Sequence, residues 1–448
     1  MSPKLDNNGR KPAARPSVAK QMRHAKPSVN TSSPAESALV TRRRFLYGAV
    51  GVGAVAAVGI GAAAYTSSVN AANSTITSLT VPKHALLTLN DFTPIDSADG
   101  VVQQTGEIDL PYGTLVWAND ESVAACLLPT ESGSPLTQVG LVNLVSSSSN
   151  TVIEKAVGAS EGFEIYDVRA NGKGIIWTEA NILQGTWRIY ASTVNGEAIG
   201  SPRLLDEGDS AYQTPTITVA GNRAIWLANP KEADDPSAEI PAARLMSAPF
   251  GSGDGVTLLE SSRPMGTPPY AYNDTVTVAP RIDSSSVYYQ LTNLDTTSGD
   301  VRDTITLPHA IAPTEAGYGD TGFMFSFPDI YDYDSAIANL GTYMPIELPV
   351  NGDYDNATWF DFARTPTAPP AWCNGRLIVK STYAVCVVNL DANSYYTIDV
   401  ENGADTYGEY LASTGSNDSF VTYTNIDHAP VGSARIHACR VKTWTTLT

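Results

Sequence analysis

Beyond about residue 72, apolar residues in this chain recur in short runs with almost no helical spacing. Runs rich in Val, Ile, Tyr, Thr and Trp alternate with Gly, Asn, Asp, Ser and Pro. Such runs predict β-strands bounded by turns. One form keeps returning: a turn residue, two or three apolar residues, then usually an aromatic. Gly113-Thr-Leu-Val-Trp117, Gly174-Ile-Ile-Trp177 and Asn222-Arg-Ala-Ile-Trp226 show it most clearly. Weaker copies are Ser286-Val-Tyr-Tyr289, Gly322-Phe-Met-Phe325, Gly375-Arg-Leu-Ile-Val379 and Ser419-Phe-Val-Thr-Tyr423. Their last residues lie 60, 49, 63, 36, 54 and 44 positions apart, a mean of 51.

A β-unit repeated every 50 residues or so predicts an all-β fold, the β-propeller. Seven blades are expected, and the uneven spacing also fits six or eight. One unit divides into Thr214-Pro-Thr-Ile-Thr-Val219, Arg223-Ala-Ile-Trp-Leu227, Arg244-Leu-Met-Ser-Ala248 and Gly255-Val-Thr-Leu-Leu-Glu260, from the innermost strand outwards. The unit at 369–400 divides in the same way. The first two strands of a blade face neighbours on both sides, so they read as near-continuous apolar runs. The last unit supplies only three runs, at Tyr410-Leu-Ala412, Phe420-Val-Thr-Tyr423 and Ala434–Val441. Its fourth strand is expected from the other end of the chain, at Ile76-Thr-Ser-Leu-Thr-Val81, which would latch the ring.

Charge divides the chain sharply. The first 71 residues hold ten Lys/Arg and two acids, a net +8. The whole chain is −18, which leaves −26 on residues 72–448. Residues 1–40 carry Pro3, Pro12, Pro16, Pro27 and Pro34 with almost no large apolar residue, and are expected to be a disordered basic n-region. Residues 41–71 follow a different pattern. Thr41, Arg42, Arg43, Phe45 and Leu46 resemble the twin-arginine export signal: a hydroxylated residue, two arginines, any residue, then a large apolar pair. Tyr47 stands where that pattern often has Lys. Phe45 to Tyr65 is uncharged and Gly/Ala-rich, and its 21 residues are long enough to span a bilayer. The resemblance implies delivery by the twin-arginine translocation machinery to an extracytoplasmic location. After cleavage near Val69-Asn70-Ala71 or Ala62-Ala63-Ala64 the body would be secreted. Without cleavage, residues 45–65 would anchor it in the membrane with the N-terminus inside. The acidic body would repel phosphates, which argues against a nucleic-acid partner.

Residues 73–448 form the expected propeller domain. Through the Gly-to-Trp strand motif they resemble the repeats of the exported bacterial TolB group. That resemblance implies a scaffold that binds at its channel or top face, and it carries over no catalytic residue.

Candidate chemistry is sparse. Cys126, Cys373, Cys386 and Cys439 form no C-x-x-C pair; Cys126 and Cys439 fall in blades that adjoin if the ring closes. His84, His309, His428 and His437 show no metal spacing, and Asp427-His428 is the one His beside an acid. No GxxxxGK[ST] loop is present, and neither a dinucleotide-binding loop nor a G-x-S-x-G nucleophile elbow is expected. Residues 303–363 contain ten acids and no Lys or Arg, including Asp332-Tyr-Asp334 and Asp353-Tyr-Asp355. Alternating carboxylates suit Ca²⁺, and the nearby Tyr residues and Trp359 suit sugars or quaternary amines. The expected function is an extracytoplasmic, non-catalytic binding or scaffold propeller for a protein or glycan ligand. The alternatives are a propeller hydrolase or lyase, or a cofactor-bearing oxidoreductase; no cofactor is assigned.

Overall fold

The structure is a computed structural model that describes residues 76–447, apart from 232–239, 283–286, 331–335, 338, 431 and 433. The twin-arginine motif and the apolar segment at 45–65 lie outside these residues. Among the described residues, helix is confined to three-residue 3-10 turns, such as Lys83–Ala85 and Ala159–Glu161. None is long and apolar enough to cross a membrane.

The strands pair into seven sheets with the topology of a β-propeller. Six are uninterrupted meanders. The first holds Leu115–Ala118, Val123–Pro129, Thr137–Asn143 and Ser148–Ile153. The second holds Glu164–Asn171, Gly174–Asn181, Thr186–Asn195 and Arg203–Gly208, with Ala198–Ile199 as an added hairpin arm. The third runs Thr216–Ala220, Arg223–Ala228, Ala243–Pro249, Val256–Ser261, and the fourth Tyr270–Tyr272, Thr275–Val278, Gln290–Asp295, Val301–Thr306. The fifth has Glu315–Gly319, Gly322–Phe327, Gly341–Pro345 and Trp359–Phe362. The sixth has Ala371–Cys373, Arg376–Lys380, Val385–Asn389 and Ser394–Thr397. The seventh sheet is composite: Tyr410–Leu411, Phe420–His428 and Ile436–Thr446 come from the C-terminal end, and Val102–Pro111 from the N-terminal end.

Alternation along the second strands explains why the sheets stack in a ring. Successive side chains of a strand point to opposite faces. Ile175 and Trp177 therefore pack on the first blade with Leu127, Leu141 and Val168, whereas Ile176 packs on the third with Ile217, Val219 and Trp226. Similar buried clusters fill the third-to-fourth, fourth-to-fifth, fifth-to-sixth and sixth-to-seventh interfaces. The cluster of Tyr423, Cys439 and Val441 with Val116, Ala124 and Cys126 joins the seventh blade to the first and closes the circle.

Closure uses the two ends of the chain, but the strand differs from the expected one. Ile76–Val81 is not a strand. Leu79 and Val81 are buried between the fourth and fifth blades, and Leu79 donates its N–H to the Thr306 carbonyl at 2.8 Å. The closing strand is Val102–Pro111, antiparallel to Ile436–Thr446 from Val102↔Thr446 to Pro111↔Ala438. The longer ladder prevails because it satisfies nearly every edge group of Ile436–Thr446. Between these points the chain runs round the outside of the ring. Leu86–Thr88 adds in parallel to the outer strand of the fifth blade, and Thr93–Ile95 to that of the sixth. Residues 76–111 are thus a belt over the outer edges of four consecutive blades.

Two strand assignments also change. Gly113-Thr-Leu-Val-Trp117 falls on an innermost strand, and the second strand of that blade is Val123–Pro129. Tyr289 precedes a third strand, and Thr275–Val278 is the second. Innermost and second strands are both buried on both faces, so composition does not separate them.

Candidate functional site

Each innermost strand is entered from one face of the ring. That face also carries the turns from second to third strands, and is called the upper face here. A cavity of about 370 Å³ opens on it. Its walls come from the second to fifth blades: Ala180 to Thr186, Gln213 to Thr216, Asn229 and Lys231, Pro264 to Pro268, and Ala312-Pro313. Prolines populate the wall because it is built from segments entering innermost strands, where a missing N–H costs no ladder bond. Asn229 fixes one side by accepting from Met265 N at 3.0 Å and donating to Met265 O at 3.1 Å. Asn181 fixes another: it accepts from Gln184 N at 3.2 Å and pins the turn that holds Leu183, 99 % exposed, at the rim.

Below, the axis of the ring is occupied. Residues 413–417 leave the innermost strand of the seventh blade and cross towards the sixth. Thr414 N donates to Ala118 O of the first blade at 3.0 Å, and Trp372 N of the sixth donates to Gly415 O at 2.8 Å. Gly415 N donates to the hydroxyl of Tyr270, which reaches in from the fourth blade and donates on to Pro370 O at 2.8 Å. Gly415 has φ of +78°, a conformation that favours glycine, and lies against Ala271 O. Burial pushes the Tyr270 phenol up, so it stays a neutral hydroxyl able to serve both partners. The cavity, called the funnel here, is bounded by residues of the second to fifth blades, and the crossing is not part of its lining.

Two groups of buried charge lie in the ring, and of their residues only Asp167 lines the funnel. On the second blade, Asp167 is 3 % exposed and pairs with Arg169, which lies 4.3 Å over the Trp117 ring. Burial pushes its carboxyl up while the guanidinium pulls it down. Beside it, Glu179 is fully buried and accepts from Val157 N at 2.6 Å, Gly158 N at 2.9 Å and Trp177 Nε1 at 3.0 Å. Towards the fifth to seventh blades, Arg364 pairs with Glu315 and donates to Thr342 Oγ1 at 2.6 Å. Lys380 donates to Tyr407 O at 2.9 Å, and burial lowers its ammonium to about 8. Glu409 accepts from Thr422 Oγ1 at 2.6 Å, and burial pushes its carboxyl up. These groups tie loops to strands on the upper face.

The residues singled out in the sequence do not converge. All four cysteines are free and buried, with Cys126 and Cys439 in one cluster at the closing interface. His84 sits on an outer 3-10 turn, His309 lies edge-on to Tyr288, and His437 stacks on Tyr112. Asp427, the neighbour of His428, accepts from Arg435 Nε and Nη2, each at 2.6 Å. No group of three His, Cys, Asp or Glu suited to a metal occurs among the described residues. Asp332-Tyr-Asp334 lies outside them. Asp353-Tyr-Asp355 is structural: Tyr354 donates to Asp303 at 2.6 Å, Asp353 caps a turn at Asn356, and Asp355 accepts from Thr80 N at 2.7 Å. Trp359 is fully buried with its N–H on Tyr354 O, so it offers no stacking face.

Two motifs contradict the expectation of none: Gly317-Tyr-Gly-Asp-Thr-Gly322 has GxGxxG spacing but is a strand-to-strand hairpin of the fifth blade, and Gly158-Ala159-Ser160-Glu161-Gly162 has the G-x-S-x-G spacing of a nucleophile elbow. Its serine is exposed on the 3-10 turn between the first and second blades, where no strand-to-helix elbow exists. Glu179 holds Gly158, and Glu161 binds Arg188 through two bonds at 3.0 and 2.7 Å. The motif is a connecting turn. The cavity itself went unseen because its lining is loop residues with no recurring spacing.

No family model matches the chain, and no curated protein matches its sequence. Solved structures share its general outline at low identity. A mutant of puromycin hydrolase is 12 % identical, with a TM-score of 0.45, over 72 % of this chain and 50 % of that one. A structure from a study of two prolyl endopeptidases is 10 % identical, with a TM-score of 0.47, over 74 % and 50 %. BamB from Moraxella catarrhalis is 12 % identical, with a TM-score of 0.37, over 77 % and 100 %. This chain spans about half the length of the first two. At these scores no residue or activity is transferred from them.

Proposed function

We propose that this chain is an extracytoplasmic, non-catalytic binding propeller of seven blades, the composite sheet being the seventh, exported by the twin-arginine route. The funnel on the upper face carries this reading. Its lining joins apolar surface from Pro215, Met265, Pro268 and Pro313 to a few hydroxyls and amides, the Asp167 carboxylate and the Lys231 ammonium. That mixture suits holding and orienting a ligand. The charge pattern and the motif at Thr41 to Leu46 support export, leaving the body secreted or anchored through residues 45–65.

Two measurements test this reading. The double variant Arg42→Lys, Arg43→Lys is expected to stay in the cytoplasm; its accumulation outside would contradict twin-arginine export. Gln213→Trp, which fills the funnel from a half-exposed wall position, is expected to reproduce the phenotype of deleting the gene at unchanged protein level. A wild-type phenotype for the filled variant would contradict binding at the funnel.

A further inference from the structure

The belt crosses the fifth blade over a buried acid. Leu86–Thr88 pairs in parallel with the outer strand, and Thr88 stands opposite Asp361. On its other side Asp361 stands opposite Tyr343 of the third strand. Asp361 is 8 % exposed, and its Oδ1 is buried without a partner. That oxygen lies against Gly341, where a Cβ would collide with it. The titratable groups around it are engaged elsewhere. The Tyr343 phenol donates to Asn339 O at 3.0 Å. Arg364, three residues along the chain, is taken up by Glu315 and Thr342. In the fourth blade, Asp303 accepts from Tyr318 and Tyr354. From the belt comes a further acid: Asp91 Oδ2 accepts from Thr88 N at 2.8 Å and from Thr88 Oγ1 at 3.1 Å. Lys83 and His84 precede the strand on a 3-10 turn. No cation among the described residues offsets the burial of Asp361, which raises its carboxyl to about 7.

We propose that ionisation of Asp361 releases Leu86–Thr88 from the fifth blade, so that the belt is a strap, closed in acid and open in mildly alkaline medium. A neutral carboxyl tolerates this burial, whereas an unpartnered carboxylate is strongly disfavoured there. The charged group reaches water with least disruption where its cover is weakest. That cover is Leu86–Thr88: three residues, none fully buried, entered and left through 3-10 turns. Once charged, Asp361 also repels Asp91 across Thr88. Opening leaves the four strands of the blade paired and bares the edge of Trp359–Phe362 for another strand. The second belt strand has no such trigger. Thr93–Ile95 pairs with Ser394, Tyr395 and Tyr396, and faces no carboxylate across its ladder.

The test is amide hydrogen exchange of the full chain at pH 5 and pH 8, read as protection factors, which remove the intrinsic effect of pH on exchange. Protection of Leu86–Thr88 is expected to fall about tenfold or more between the two, as a carboxyl shifted by more than one unit allows. Thr93–Ile95 should keep its protection and serves as the control within the same molecule. Asp361→Asn, which keeps the shape and cannot ionise, should hold Leu86–Thr88 closed at pH 8. Unchanged protection in the native chain would overturn the inference. A fall of equal size at Thr93–Ile95 would do so too, because it reports loosening of the whole ring. An undiminished fall in Asp361→Asn would assign the response to another group. Should that variant fail to fold, reversal decides: a native chain returned from pH 8 to pH 5 should regain its protection, and a permanent loss would refute the strap.

Discussion

Asp361 is the residue where burial and charge conflict most. It lies on the outer strand of the fifth blade, opposite Thr88 of the belt, and its Oδ1 is buried without a partner. Burial raises its carboxyl from 3.8 to about 7. The folded protein therefore holds a proton that the unfolded chain releases near pH 4. Stability is full below that pH, declines as pH rises towards 7, and stays lower above it. A shift of this size corresponds to a few kcal/mol at most, roughly 2–4. Asp361→Asn should raise the unfolding free energy from urea melts by about 2 kcal/mol at pH 8 and change it little at pH 4; equal destabilisation at both would refute this. Tyr270→Phe tests the crossing at the axis of the ring. It strips partners from Gly415 N–H and Pro370 C=O, both deep in the ring. An unpaired buried group costs about 1–3 kcal/mol, so a loss of about 2–4 kcal/mol is expected in denaturant melts. The cysteines give a simpler check. With all four thiols free and buried, none should react with a thiol reagent before unfolding, and four should react after it.

At the scale of elements, the belt makes the clearest prediction. A chain beginning at residue 101 retains Val102–Pro111 but loses the strands covering the fifth and sixth blades. It should fold, melt at lower temperature and aggregate through the bared edges. A chain beginning at residue 112 also loses the outer strand of the seventh blade and should lack a cooperative transition. Equal melting of the 101-start chain and the full chain would contradict the belt. The sequence made some of these elements plain and hid others. Arg223–Ala228 was legible because an apolar run follows a Gly-Asn turn, and all four strands of its blade lie within two residues of their expected bounds. Val102–Pro111 was not, because its outward side meets water and its residues, Val-Gln-Gln-Thr-Gly-Glu-Ile-Asp-Leu-Pro, are mostly polar. Ile76–Val81 drew attention through β-branched composition alone, yet the chain uses it to fill a gap between blades. The funnel was illegible for a related reason: its chemistry arises where loops of four blades meet, and no single stretch carries it.

For the whole molecule, seven buried interfaces closed in a circle make each blade depend on both neighbours. Trp177 lies fully buried between the first and second blades. Trp177→Ala should cost about 3–5 kcal/mol and lower the single melting transition of the ring without splitting off one blade. The measurement that bears most directly on the account is photo-crosslinking in the producing cell, with the reactive group placed at Gln213 in the funnel or at Asn374 on the opposite face. The account predicts discrete adducts at 213 that carry an intact ligand, and none at 374. Equal labelling at both positions, or recovery at 213 of cleaved ligand only, would contradict it.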